Sequence, residues 1–215
     1  MKVLGINGSP RKEWNTATML KKALEGAASR GGETELIHLY DLEFKGCISC
    51  FSCKRIGGKS YGECAVKDDL KPVLAKVAKA DALVLGSPIY FGNVTGEMRS
   101  FLERLFFQYL VYDKDRTILT PKEIATLFIY TMNAPEEGIR KIGYPEKFKE
   151  YERLLKRFFG SAETLISTET CQFEDYSKYV TSFFDVEARK KRREEVFSQE
   201  CKKAFDMGSK LVRER

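Results

Sequence analysis

Four of the six cysteines, Cys47, Cys50, Cys53 and Cys64, fall within one stretch, "CISCFSCKRIGGKSYGEC". Three follow each other at two-residue gaps; the fourth comes after a run that contains Gly57, Gly58 and Gly62. Zinc sites more often use two separated C-x2-C pairs. A compact triplet plus one remote cysteine is the spacing of a [4Fe–4S] cluster, in which a short loop wraps three corners of the cube. Free thiols and a zinc site remain open as alternatives. Cys171 and Cys201 lie far from the window and read as buried or incidental.

A second chemical signal is "NGSPRKEWNT", residues 7 to 16. It joins an apolar run to a helical pattern and so opens a helix amino terminus, where free N–H groups attract anions. Ser9 and Thr16 add hydroxyls, Asn15 an amide and Arg11 a forked cation suited to phosphate. Neither a Walker A loop nor a GxGxxG fingerprint is present. An ordinary turn capped by Asn15 or Thr16 is the plainer alternative. A third signal, "GSPIYFGNVTGEMRSFLER", carries Pro88, Ile89, Tyr90, Phe91 and Gly92, able to offer a planar ring a flat apolar surface and backbone amides. The only histidine, His38, sits in a strand pattern and reads as structural or exposed; no Ser-His-Asp set and no catalytic side chain can be named.

These segments need a frame. "KVLGING", "TELIHLY", "DALVLGSP", "EIATLFIYT" and "AETLISTET" read as strands. Helical spacing predicts helices over residues 16–29, 68–80, 96–111 and 145–160, with Pro72 tolerated in a first turn and Gly31 and Gly32 ending the first helix. A long charged amphipathic helix is expected at about 186–212. This alternation predicts an α/β flavodoxin-like three-layer sandwich: a five-stranded parallel sheet of order 2-1-3-4-5 with helices on both faces. One domain is expected over residues 1–215, with a cysteine-rich loop insertion at 45–66. Residues 133–143 and 171–185 are expected to be the longest irregular stretches, each a candidate lid or subunit contact.

The charge of +6, from 37 basic and 31 acidic residues, is modest, and the basic run "ARKKRREE" meets acids at once. It reads as a solvated helix face, and nucleic-acid binding is not expected. No apolar run reaches membrane-spanning length, and the first residues lack a signal-peptide core, so a cytoplasmic location without membrane association is expected. Disulfides are rare there, which favours metal or redox chemistry for the cysteines.

The motifs together resemble the NADPH-dependent FMN reductase branch of the flavodoxin-like flavoproteins. "GSPRKEWNTATML" is similar to the family's phosphate loop, GSPRxxxNT, which implies that Ser9, Arg11, Asn15 and Thr16 hold an FMN phosphate. Trp14 departs from the small residue common before the Asn. "SPIYFGNVTGEMRSFLER" resembles the family's flavin-ring loop, implying isoalloxazine contacts from Pro88 through Gly92. "YTMNAP" implies a further contact from Thr131, with Met132 and Asn133 beside it. The cysteine window and "GECAVKDDL" resemble the iron–sulfur flavoproteins of anaerobic archaea and bacteria, with a longer gap between the third and fourth cysteines. That implies a [4Fe–4S] cluster on Cys47, Cys50, Cys53 and Cys64.

The resemblance implies a flavin-dependent oxidoreductase that passes electrons from NAD(P)H or a cluster through FMN to a quinone, flavin, oxygen or protein acceptor. A small-molecule or protein redox partner and a homodimer or homotetramer are implied; "FLERLFFQYLVY" could feed that interface or face the core. With strands about 5 Å apart, the cysteine loop is expected to start roughly 10 Å from the third-strand loop. The reading from another class is a non-enzymatic FMN-binding or zinc-stapled regulatory protein.

Overall fold

The computed structural model describes residues 1–183 and 185–212. Phe184, within the expected irregular stretch 171–185, and residues 213–215 at the end of the expected domain lie outside them. The elements are β1 (Lys2–Asn7), α1 (Asn15–Ser29), β2 (Glu33–His38), α2 (Leu70–Lys79), β3 (Ala82–Tyr90), β4 (Asn93–Val94), α3 (Gly96–Tyr109), β5 (Ile124–Thr131), α4 (Glu136–Lys141), α5 (Tyr144–Phe159), β6 (Gly160–Ser167), α6 (Val186–Arg192) and α7 (Ser198–Lys210).

Five strands pair in parallel in the order β2-β1-β3-β5-β6. This is the expected topology with one correction: a sixth strand, β4, turns back antiparallel onto the end of β3, pairing Ile89 with Val94 and Tyr90 with Asn93. A two-residue hairpin strand carries no periodicity to read. Its turn needs Phe91 and Gly92 both at positive φ, 49° and 82°. At Gly92 a Cβ would also strike the Tyr144 ring, 2.8 Å away.

Strand residues alternate between two cores, as the pleat requires. Leu4, Ile6, Leu83, Leu85, Phe128 and Tyr130 face one layer with α2, α3 and α5. Val3, Ala82, Val84, Leu127 and Ile129 face the other, against α1 and α7. Burial on both faces explains why the three inner strands, β1, β3 and β5, read as unbroken apolar runs. On α3, Phe101, Leu102, Leu105 and Tyr109 are buried, so the aromatic stretch is mainly core.

The carboxyl-terminal helix is helical from residue 186 to 210, but residues 193–197 form a π turn between α6 and α7. α7 lies unusually close to α1: a Cβ on Gly208 would sit 1.9 Å from the Ala23 carbonyl oxygen, and one on Gly26 would sit 2.0 Å from that of Phe205. Residues 133–143 are not wholly irregular, since α4 falls inside them. Residues 111–123 form a further long connection, which includes a bridge from Leu110 to Ile118 and a hydrogen bond from Leu119 N–H to the Tyr109 carbonyl. No described helix is long and apolar enough to cross a membrane.

Candidate functional site

The carboxyl ends of β1, β3 and β5 open on one crevice, where the strand order reverses on either side of β1 and β3. Its free volume is about 220 Å3, and its wall includes Ser9, Arg11, Asn15, Thr16, Pro88, Ile89, Tyr90 and Thr131. Eight of the ten residues implied as cofactor contacts therefore line one space. Phe91 and Gly92 are not in its wall: Phe91 is fully exposed at the hairpin tip. Met132 and Asn133 are in the wall, and so are Trp14, Thr170, Cys171, Gln172 and Phe173, most of which the sequence reading passed over.

The first loop is shaped from below by Asn7, at the end of β1. Its Oδ1 accepts from the Ser9 N–H (3.0 Å), and its Nδ2 is 2.8 Å from His38 Nδ1. With the Asn7 amide donating, that ring nitrogen is the acceptor, so His38 is neutral with its proton on Nε2. Burial pulls the imidazole below its ordinary value of 6.5, consistent with that state. Thr95, the N-cap of α3, donates through Oγ1 to the Gly8 carbonyl (2.6 Å) and accepts from Met98 N–H. Its own N–H donates to Ser87 Oγ, which locks the β1 and β3 loops together. The hydroxyls of Thr16 and Thr131 are 2.7 Å apart across the crevice floor.

The N-cap of α1 is Trp14, and it makes no side-chain capping bond, unlike the capped turn weighed from the sequence. The first N–H groups of α1 are therefore open to an anion. The polar side chains around them are held by the segment after β6. Asn15 Nδ2 donates to the Cys171 carbonyl (2.7 Å), Trp14 Nε1 donates to the same oxygen (2.9 Å), and Arg11 Nη1 donates to the Gln172 carbonyl (2.5 Å). Arg193, from the π turn, donates to Asn15 Oδ1 (2.7 Å). Two guanidiniums lie over the Trp14 ring, Arg11 at 3.9 Å and Arg193 at 5.0 Å from its centroid. Trp14 thus ties the chain's last third to its first loop, a role its position alone does not disclose.

The four window cysteines line a second, separate pocket with Ile48, Phe51, Ala65, Val66, Arg104, Phe107 and Gln108. The loop carrying them has one helical turn at residues 52–54 and left-handed backbone at Ser49 (53°) and Phe51 (55°), on either side of Cys50. Cys53 is buried and Cys50 exposed. Burial pushes the Cys53 thiol up and nearby Lys54 opposes this, while the charges of Cys64 and Cys47 add to the rise. Hydrogen bonds from Ser52 lower Cys50 instead.

The donor types fit a sulfur-ligated metal group, and so do two orphaned N–H donors. Arg104 is 1% exposed and Gln108 4% exposed, yet Arg104 Nε and Gln108 Nε2 have no partner among the described residues. Each such buried donor costs about 1–3 kcal/mol if nothing completes it. The thiols are not gathered around one point as a single metal ion needs. Among the described residues no group of three His, Cys, Asp or Glu side chains is arranged to hold a metal ion, and the pocket's free volume is about 20 Å3, room for one water-sized body. The chemistry of the pocket fits; the sulfur geometry requires the loop to rearrange around a guest.

Comparison with known proteins supplies the frame for both sites. The family model for NADPH-dependent FMN reductases matches residues 1–133, which contain both loops and the whole cysteine window. The chain belongs to the NADPH-dependent FMN reductase family. An iron–sulfur flavoprotein of Methanocaldococcus jannaschii is 43% identical over 104 residues, 48% of this chain and 51% of that protein. One from Archaeoglobus fulgidus is 33% identical over 161 residues, 69% of each chain. In the first of these the chain matches only about half the relative's length. Among solved structures, an NAD(P)H:quinone oxidoreductase from Methanothermobacter marburgensis shares the fold with a TM-score of 0.72 at 16% identity, covering 99% of both chains. That shared fold covers the residues beyond the matched 1–133 as well.

Proposed function

We propose that this chain is an FMN-dependent oxidoreductase that takes electrons from NAD(P)H or from an iron–sulfur cluster and delivers them to a small-molecule or protein acceptor. The observation that carries the reading is the crevice itself. At one end it has the uncapped N–H groups of α1 with Ser9, Arg11, Asn15 and Thr16; at the other it has the flat Pro88-Ile89-Tyr90 edge. A phosphate belongs at the first end and a planar ring at the second. Bound FMN would supply the hydride and single-electron chemistry that no side chain here provides.

The chain's own residues bind and orient. Asn7 and Thr95 fix the backbone of the loop, whose Ser9 hydroxyl, now paired with the Arg11 backbone, and following helix N–H groups would hold the phosphate. Arg11 exchanges the Gln172 carbonyl for a phosphate oxygen, a stronger, charge-assisted partner. Asn15 keeps Cys171 and Arg193 in place, and Trp14 holds the segment at Cys171 as the crevice rim. Cys47, Cys50, Cys53 and Cys64 would hold a [4Fe–4S] cluster, a reading supported by the two orphaned donors in their pocket and by the relatives' names. Residues 1–212 act as one unit in this reading, with the cysteine loop as its insertion.

The test is equilibrium titration of the purified protein with FMN and, separately, riboflavin, followed by flavin fluorescence. FMN is expected to bind tighter than riboflavin, and Arg11→Ala to lose about tenfold in FMN affinity while riboflavin is unaffected. A colourless protein that takes up neither flavin would end the proposal.

A further inference from the structure

The two orphaned donors in the cysteine pocket have a geometry of their own. Arg104 and Gln108 are four residues apart on α3 and so share one helix face. Both are pinned at one end. Arg104 makes a forked ion pair through Nη1 and Nη2 with Asp68, and Nη1 also donates to the Lys45 carbonyl (3.2 Å). Gln108 Oε1 accepts from the Cys64 N–H (3.0 Å). What remains without a partner is Arg104 Nε and the Nε2 amino group of Gln108, both buried and both on residues that line the four-cysteine pocket. Lys54 closes the same corner, donating to the Phe107 and Gln108 carbonyls at the end of α3.

An apolar chamber that holds cysteines and leaves only N–H donors free is built for a sulfur-rich anion. We propose that Arg104 Nε and Gln108 Nε2 donate N–H···S hydrogen bonds to the sulfur atoms of an iron–sulfur group bound by Cys47, Cys50, Cys53 and Cys64, and so raise its reduction potential. This rests on the cluster reading given above. The donors act through sulfur and touch no substrate; they are tuning and positioning residues. Reduction adds negative charge to the group, and such hydrogen bonds favour the more negative state. Removing a donor therefore lowers the potential. Asp68 fixes the guanidinium of Arg104, a residue of the pocket wall.

The experiment uses the full chain, reconstituted anaerobically with ferrous iron and sulfide. Iron and sulfide are assayed, and the potential is measured by dye-mediated titration followed by electron paramagnetic resonance. Gln108→Glu keeps the oxygen that accepts from Cys64 while removing the amide N–H donors; Gln108→Met and Arg104→Lys vary the donor in other ways. Thermal melting of the unloaded proteins selects the variants that fold, and Gln108→Met suffices if the others do not. The expected result is iron and sulfide uptake by every folded variant with a potential below that of the unaltered protein. Equal uptake with an unchanged potential would overturn the donor role and leave the cluster standing. An unaltered protein that takes up no iron, or carries zinc in its place, would remove the cluster and this inference with it. The flavin titration is a separate measurement and is unaffected by either result.

Discussion

The crevice and the cysteine pocket both abut α3, the first at its N-cap Thr95 and the second at Arg104 and Gln108. Their polar groups are in opposite condition. In the crevice, Arg11, Trp14 and Asn15 already have partners, the backbone carbonyls of Cys171 and Gln172. In the cysteine pocket, two buried donors have none, and the thiols are not gathered around a single metal ion among the described residues. The crevice's side chains are thus already engaged, so a ligand meets the open N–H groups of α1 and exchanges hydrogen bonds with the rest. The pocket is an unfinished site that a guest would complete. The difference follows from the scaffold: strand ends and a helix start define the crevice, whereas an irregular loop with left-handed residues carries three of the sulfurs.

The comparison is broken most severely at Asp68. Asp68→Ala leaves the Arg104 guanidinium buried without its counter-charge, with an expected cost of about 3–5 kcal/mol by urea unfolding. If the loss were under about 1 kcal/mol, as for a surface pair, the pocket would not be the buried polar site described here. Next in size is Gly208→Ala, which pushes α7 off α1 and is expected to cost about 1–3 kcal/mol. Because α7 supports Arg193 and the crevice rim but not the cysteine loop, FMN affinity should fall while iron uptake is unchanged; equal damage to both would show that the two regions are not independent.

Trp14→Phe keeps an aromatic face under Arg11 and Arg193 and removes one hydrogen bond to the Cys171 carbonyl. About 1 kcal/mol, or roughly fivefold in FMN affinity, is expected, together with faster proteolysis near Cys171. An unchanged cleavage rate would mean that Trp14 does not latch the segment. The smallest effect is a pH dependence through His38. Burial holds its folded pKa below 6.5, so below that pH the unfolded chain binds more protons than the folded one. The stability it contributes is present above pH 6.5 and is lost as the pH falls through the folded value. Protonation also removes the acceptor for Asn7, which loosens Ser9. His38→Gln should flatten the fall in stability between pH 7 and pH 5; an identical profile would exclude His38 as its source.

Local patterns carried much of this molecule. Apolar runs made the inner strands β1, β3 and β5 legible, because strands buried on both faces leave no other imprint, while the edge strands β2 and β6 showed as shorter mixed runs. The spacing of Ser9, Arg11, Asn15 and Thr16 and of the four cysteines was also visible, since each set lies within one short loop. Tertiary structure alone decided the rest. The β4 hairpin turned Phe91 away from the crevice, because the left-handed turn at Phe91 and Gly92 reverses the chain. Packing brought Cys171, Gln172 and Arg193 to a loop more than a hundred residues earlier, and it set His38 beside Asn7 and Arg104 in the wall of the cysteine pocket. None of these partners is near in sequence to what it serves, and a buried arginine reads as a surface one until its aspartate is found. Spacing along the chain records only contacts a chain makes with its own neighbours; which distant donor completes a site is settled when helices and loops are packed and every buried polar group must find a partner or await one.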